Sequence, residues 1–241
     1  MKKVGINSAR LHILAMIFMF IDHFWRIIPG QNWMNCVGRL AFPIFAFLLV
    51  EGFFHTHNRR VYTLRLLSGA IVSELPFNLM FGGSFLWEYQ NIMWTLFIGF
   101  LLMWTLEWVK DLGLHPTIPY FTSAAVVVVG FAAGCLFHVD YEGVGILTVL
   151  AFYFCRGNSF CNRLGQLAWM VVLHGILGKG HILAFSVLGL SLSFPVQTLA
   201  IFSLPIIWTY NGKQGCHSKG FQYFCYAFYP THLLCLSILR G

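Results

Sequence analysis

Apolar runs, each near the length of a membrane span, alternate with short polar breaks along almost the whole chain. Bounded by Gly, Pro, Asn and clusters of charge, they cover residues 11–29, 36–55, 62–82, 91–108, 118–138, 142–155, 164–178, 181–194, 196–210 and 221–239. A helix of about twenty apolar residues rises far enough to cross a hydrocarbon core roughly 30 Å thick, and helices satisfy their own backbone there. The pattern predicts an all-α integral membrane protein. Its expected form is one polytopic domain over residues 1–241, a bundle of about nine transmembrane helices with eight to ten as the range.

The count turns on residues 164–194, which read either as two short spans broken at Gly178-Lys179-Gly180-His181 or as one long bent helix with an irregular tail. Lys and Arg in short loops favour the cytoplasm. Lys2, Lys3 and Arg10 therefore place the N-terminus inside, and strict alternation puts Arg59, Arg60, Arg65, Lys110, Arg156 and Arg163 inside with Glu88, Asp140 and Glu142 outside. Lys213 and Lys219 join the inner set only if an even number of crossings separates Arg163 from Asn211, which favours nine spans over ten. Lys2 and Lys3 before an apolar run imitate a signal peptide. Asp22 and His23 interrupt that run and no small-x-small cleavage site follows, so a retained anchor is expected.

Composition narrows the class. With 58% hydrophobic and only 10% charged residues, and a mean hydropathy of +0.73, there is too little polar surface to coat a soluble globule. The net charge of +7 sits in loops between apolar runs, where it orients helices, so the expected partner is the lipid bilayer and not nucleic acid. Seven cysteines lie scattered without metal-ligand or disulfide-framework spacing, and packing is the role expected of them; no metal is expected.

The chemistry is carried by polar residues inside the apolar runs. A charge at the centre of a span costs about 2.5 to 3.5 kcal/mol on insertion scales, so each is a functional candidate by default. Asp22 and His23 are expected two-thirds of the way through the first span. Asp22 is spaced to pair with Arg26 at i+4. His23 has no such partner and reads either as a base titrating near neutral pH or as a histidine bonded to a neighbouring carbonyl. Arg39 stands near the outer end of the second span, free to snorkel to the interface or to act as a fixed cation. Glu74 lies mid-span beside Pro76, as a protonated carboxyl between helices or as part of a pocket. His232 follows Tyr229-Pro230-Thr231 in the last span. By depth, Asp22, His23, Arg39, Glu74 and His232 form an outer-half to midplane layer. Glu51, His55, Arg59, Arg60, Arg65, Asn211 and Lys213 form an inner rim suited to lipid headgroups or a ligand phosphate.

Several of these residues stand in ordered motifs. Ile21-Asp22-His23, Gly38-Arg39-Leu40-Ala41-Phe42-Pro43-Ile44-Phe45-Ala46-Phe47 running on to Glu51-Gly52-Phe53, Ser73-Glu74-Leu75-Pro76-Phe77, Gln90-Asn91, Tyr210-Asn211-Gly212-Lys213 and Phe228-Tyr229-Pro230-Thr231-His232-Leu233 resemble the TraX family. That family is named for the protein that acetylates the N-terminus of F-type conjugative pilin. The similarity runs from about Arg10 to Leu239, with no recognised motif between Gly157 and Val196. It implies a bacterial inner-membrane acetyltransferase that takes its acetyl group from acetyl-CoA and passes it to a peptide or small-molecule acceptor. On that resemblance His23 is the expected general base, and His232 a second acid/base or the partner of the thioester. Arg39 is expected to hold the oxyanion or acceptor, Glu74 to orient the base or acceptor, and Asp22 to complete the set. Charge and depth make Arg59, Arg60, Arg65 and Lys213 the expected contacts of the coenzyme A phosphates, with Glu51 and Asn211 on the same rim. The competing readings are a proton-coupled secondary transporter with Asp22, His23, Glu74 and His232 as a relay, a haem-b protein with histidine ligands, and a non-catalytic assembly factor.

Overall fold

The computed structural model describes residues 5–28, 30–82, 89–115, 117–187, 190–216 and 218–240. Lys2, Lys3 and Glu88, which helped to orient the chain above, lie outside the described residues. The fold is mostly helical. In chain order come α1 (Ser8–Phe24), α2 (Asn32–Gly38), α3 (Ala41–His55), α4 (Arg59–Phe81), α5 (Ile92–Asp111), α6 (Thr117–Leu136), α7 (Glu142–Phe154) and α8 (Phe160–Met170). A π-helical turn (Val171–Ile176), strands β1 (Ile182–Val187) and β2 (Leu190–Pro195), a 3-10 segment (Val196–Phe202), α9 (Ser203–Trp208) and α10 (Lys219–Arg240) complete it. The polar breaks that divide the apolar runs double as helix starts. Asn7, Asn58, Asn91 and Ser159 each turn a side-chain oxygen onto a backbone N–H of the first turn that follows.

Among the described residues, Asn32–His55, Arg59–Phe81, Ile92–Asp111 and Thr117–Leu136 are long and apolar enough to cross a membrane. α7 and the stretch Val196–Trp208 are apolar but shorter. Two sequence expectations change. Residues 181–194, read as an apolar run of span type, instead hold an antiparallel hairpin whose register pairs Ile182 with Pro195 and Val187 with Leu190. The helix before it passes into the π-helical turn and ends at Ile176. The first span, expected to reach residue 29, closes its helix at Phe24, so Asp22 and His23 occupy its last turn.

The chain forms two compact units. One comprises Met1–Leu48 with Cys155–Gly241, the other Leu49–Phe154. In the first, the strap after α9 clasps the start of α1. Ser8 and Ala9 donate their backbone N–H groups to the carbonyls of Lys213 and Gln214, at 2.8 and 3.0 Å, and Asn211 Nδ2 donates to Gly5 O at 3.0 Å. Two otherwise orphaned N–H groups of α1 are satisfied this way. In the second unit, Phe53 and Tyr62 pack on Phe100, and α6 lies against α7 so closely that a Cβ on Gly134 would come within 2.7 Å of the Glu142 and Gly143 backbone. α6 leaves Tyr120, Phe121, Val128 and Leu136 on its outer surface, the pattern of a helix solvated by lipid.

Candidate functional site

The first unit brings two histidines together across 209 residues of chain. His23, at the end of α1, and His232, in α10 two residues past Pro230, share a hydrogen bond of 2.7 Å between His23 Nδ1 and His232 Nε2. A second contact fixes the direction. His232 Nδ1 lies 2.8 Å from the Phe228 carbonyl, which can only accept, so Nδ1 carries the proton and Nε2 of a neutral His232 is an acceptor. His23 Nδ1–H therefore donates to it, and the lone pair of His23 resides on Nε2. The imidazole planes are 3° apart, with Phe228 stacked on His232 at 4.8 Å and Tyr229 tilted beside it at 5.6 Å. His232 is buried.

Next to this pair stands a second polar group. Arg39 Nη2 donates to Asp22 Oδ2 in an ion pair, and Asn35 Nδ2 donates to Asp22 Oδ1 at 2.9 Å. The sequence spacing pointed Asp22 toward Arg26, one turn along its own helix. The carboxylate is instead engaged by an arginine from the α2–α3 junction, because Gly38 lets that segment approach: a Cβ there would strike the Asp22 carboxyl group. Arg26 places its guanidinium over the Trp25 ring, 5.5 Å from the centroid. Nor does Arg39 simply snorkel, since its side chain is 17% exposed and joined to a buried chain of partners. Arg39 Nη1 donates to Gln197 Oε1 at 3.4 Å, and Gln197 Nε2 meets His174 Nδ1 at 2.9 Å. Gln197 and His174 are both buried, His174 completely.

Glu74 belongs to the second unit, where α4 presents it to the start of α5. Its carboxylate accepts from Asn78 Nδ2 at 3.1 Å, from Asn91 Nδ2, and from Trp94 Nε1 at 3.1 Å. Asn91, fully buried, also donates to Ala70 O at 2.9 Å and caps α5 through Met93 N. Of the expected catalytic set, Asp22, His23, Arg39 and His232 are gathered in the first unit, while Glu74 clamps two helices of the second. The expected rim divides likewise. Asn211 and Lys213 lie in the strap of the first unit, with Asn211 spent on the N-terminal clasp. Glu51, Arg59, Arg60 and Arg65 lie at one end of the second, where His55 Nδ1 approaches both the Glu51 carbonyl at 2.7 Å and its carboxylate at 3.9 Å. Arg59 covers the Phe53 ring at 4.5 Å, and Arg60 and Arg65 are exposed. The same unit holds a cluster that sequence reasoning passed over: Lys110 Nζ donates to Glu107 at 2.9 Å and to the Tyr153 hydroxyl at 2.7 Å, and that hydroxyl donates to Glu107.

Tyr89 OH donates to Asp140, and partial loss of solvent around the hydroxyl together with that carboxylate raises the Tyr89 phenol above its ordinary range, although the residue is 41% exposed. Among the described residues, no group of three or more His, Cys, Asp or Glu is placed to hold a metal ion. Asn35, His174 and Gln197 also escaped the sequence reading, although His174 and Gln197 carry the same signal as the others, a polar side chain inside an apolar run.

Comparison with known proteins gives the following. The model of one family, described as TraX protein, matches residues 7–240. The chain is similar to the probable fimbrial assembly protein FimC, serogroup H1, of Dichelobacter nodosus, at 26% identity over 98% of this chain and 96% of that one. It is likewise similar to Protein TraX of Escherichia coli, at 27% identity over 94% of this chain and 84% of the relative. No solved structure matches it.

Proposed function

The chain belongs to the TraX family, and we propose that it is a membrane-embedded acetyltransferase carrying an acetyl group from cytosolic acetyl-CoA to an acceptor amine or hydroxyl. The observation that carries this reading is the hydrogen-bonded pair His23 and His232 beside the Asp22–Arg39 ion pair. An acyl transfer to an amine needs a base for the attacking group, an acid for the leaving group and a cation or dipole for the charge that develops between them. The gathered side chains supply these types.

His23 Nε2 takes the proton from the attacking nitrogen or oxygen as the new C–N or C–O bond forms at the thioester carbonyl. The resulting imidazolium is stabilised through Nδ1–H by His232 Nε2, whose ring is itself held by Phe228 O. That arrangement parallels a base oriented by a third group. The C–S bond then breaks, and the proton returns from His23 to the departing thiolate, so both imidazoles end neutral. Arg39, oriented by Asp22, is the cation for the carbonyl oxygen. Glu74 supports the reading indirectly, by fixing α4 on α5.

The resemblance supplies the donor, and Lys213, in the same unit as the histidine pair, is the proposed contact of its phosphates. Membership of the TraX family and similarity to a probable fimbrial assembly protein favour a pilin-like exported peptide as acceptor. Bacterial inner membranes with and without the chain, given acetyl-labelled acetyl-CoA and a panel of acceptor peptides, test the reading. Chain-dependent label on a peptide amine or hydroxyl supports it; label that stays on coenzyme A with every acceptor contradicts it.

A further inference from the structure

The polar chain behind Arg39 has a fixed direction. Arg39 can only donate, so the Gln197 oxygen faces it and the Gln197 amide nitrogen faces His174. That nitrogen is a donor, which makes His174 Nδ1 the acceptor. At the other end Asp22 accepts from both Arg39 and Asn35. Each of these four contacts thus pairs a donor with an acceptor in one arrangement only. A reversed Gln197 amide would point N–H groups at the guanidinium.

Two buried polar side chains are costly unless they are bonded. Both lie at irregular backbone. His174 sits in the π-helical turn, and Gln197 is the second residue of the 3-10 segment packed against it. π-helical turns are frequent at functional sites. Gln197 reaches the same guanidinium that Asp22 holds, from the opposite end of the sequence.

We infer that Gln197, braced by His174, is a positioning residue that sets the orientation of the Arg39 guanidinium for acetyl transfer. The inference rests on the acetyltransferase reading above. Gln197 and His174 act through Arg39 and touch neither substrate. Their effect falls on the chemical step, with kcat lowered and KM for acetyl-CoA little changed.

Substitutions that invert the usual order of tolerance test it. Gln197→Leu keeps the volume but removes the acceptor, and kcat falls on the order of tenfold or more. Gln197→Glu keeps an oxygen for Arg39, and His174 meets the second oxygen by shifting its proton to Nδ1, so this variant retains most of the wild-type kcat. A residue there for packing alone shows the reverse, with Leu tolerated and a buried Glu damaging. Gln197→Met replaces the Leu variant if the latter does not fold, and Arg39→Gln combined with Gln197→Leu is expected to be no slower than Arg39→Gln alone. All are measured on full-length protein in detergent, with folding checked by size-exclusion profile. Leu at wild-type kcat, or Glu as damaging as Leu, overturns the inference while wild-type activity leaves the acetyltransferase reading standing. An inactive wild-type protein instead removes that reading.

Discussion

Replacing Gly38 by alanine sets two effects of opposite sign against each other. Alanine favours a helix over glycine by up to about 1 kcal/mol, and less at the last residue of α2, so local propensity alone predicts slight stabilisation. Packing predicts the opposite. The new Cβ would lie 2.5 Å from Asp22 Cγ and nearer still to other atoms of that side chain, where ordinary contact begins near 3.4 Å. Asp22 cannot swing aside cheaply, being held by Asn35 and Arg39. If α2 shifts instead, overpacking costs about 1 to 3 kcal/mol. If the carboxylate turns away, a hydrogen bond to a charged group worth about 1.5 to 3 kcal/mol is lost. The pair is partly solvated, with side chains 17% and 15% exposed, which favours the lower half of those ranges. The net expectation for Gly38→Ala is about 1 to 2 kcal/mol of destabilisation. Thermal unfolding of the purified protein in detergent, followed by tryptophan fluorescence, should show Tm falling by several degrees. A Tm equal to or above wild type would refute the claim that this glycine exists to admit Asp22 to Arg39.

Further outcomes follow from the second unit. Glu74→Gln places an amide N–H among the donors of Asn78, Asn91 and Trp94, and should lower stability by about 1 to 3 kcal/mol; an unchanged midpoint in the same assay counts against the clamp. For Tyr89 the sign is set by its raised pKa. Its protonated form is favoured in the folded state, so its contribution is complete below the unfolded value near 10 and is lost as pH climbs beyond it. Stability measured from pH 8 to 11 should therefore fall less steeply in Tyr89→Phe than in wild type, and parallel curves exclude the effect.

The sequence identified individual residues better than it identified their partners. His23 and His232 stood out because each is polar within an apolar run, yet their hydrogen bond spans 209 residues and depends on where α10 returns, which no local spacing encodes. Asp22 shows the same limit. Its neighbour at i+4 was a sound local choice, but Gly38 brings a better-placed guanidinium from another helix. The layer built from depth alone also treated height in the membrane as proximity, and so grouped Glu74 with residues of the other unit. The hairpin was legible and missed. Leu190-Ser191-Leu192-Ser193-Phe194 alternates strictly between apolar and polar, the period of a strand, but it sat inside a run whose mean hydropathy resembled a short span. His174 and Gln197 met the same criterion, a polar side chain inside an apolar run, and were passed over.

The most direct measurement is single-turnover acetyl transfer by purified protein, with labelled acetyl-CoA and an acceptor peptide, in wild type, His23→Asn, His232→Asn and the double variant. A hydrogen-bonded pair acting as one base predicts that each single change slows transfer by about 10² to 10⁴-fold and that the double change is scarcely slower than the worse single one. Folded His23→Asn and His232→Asn proteins that both transfer acetyl at the wild-type rate would contradict it.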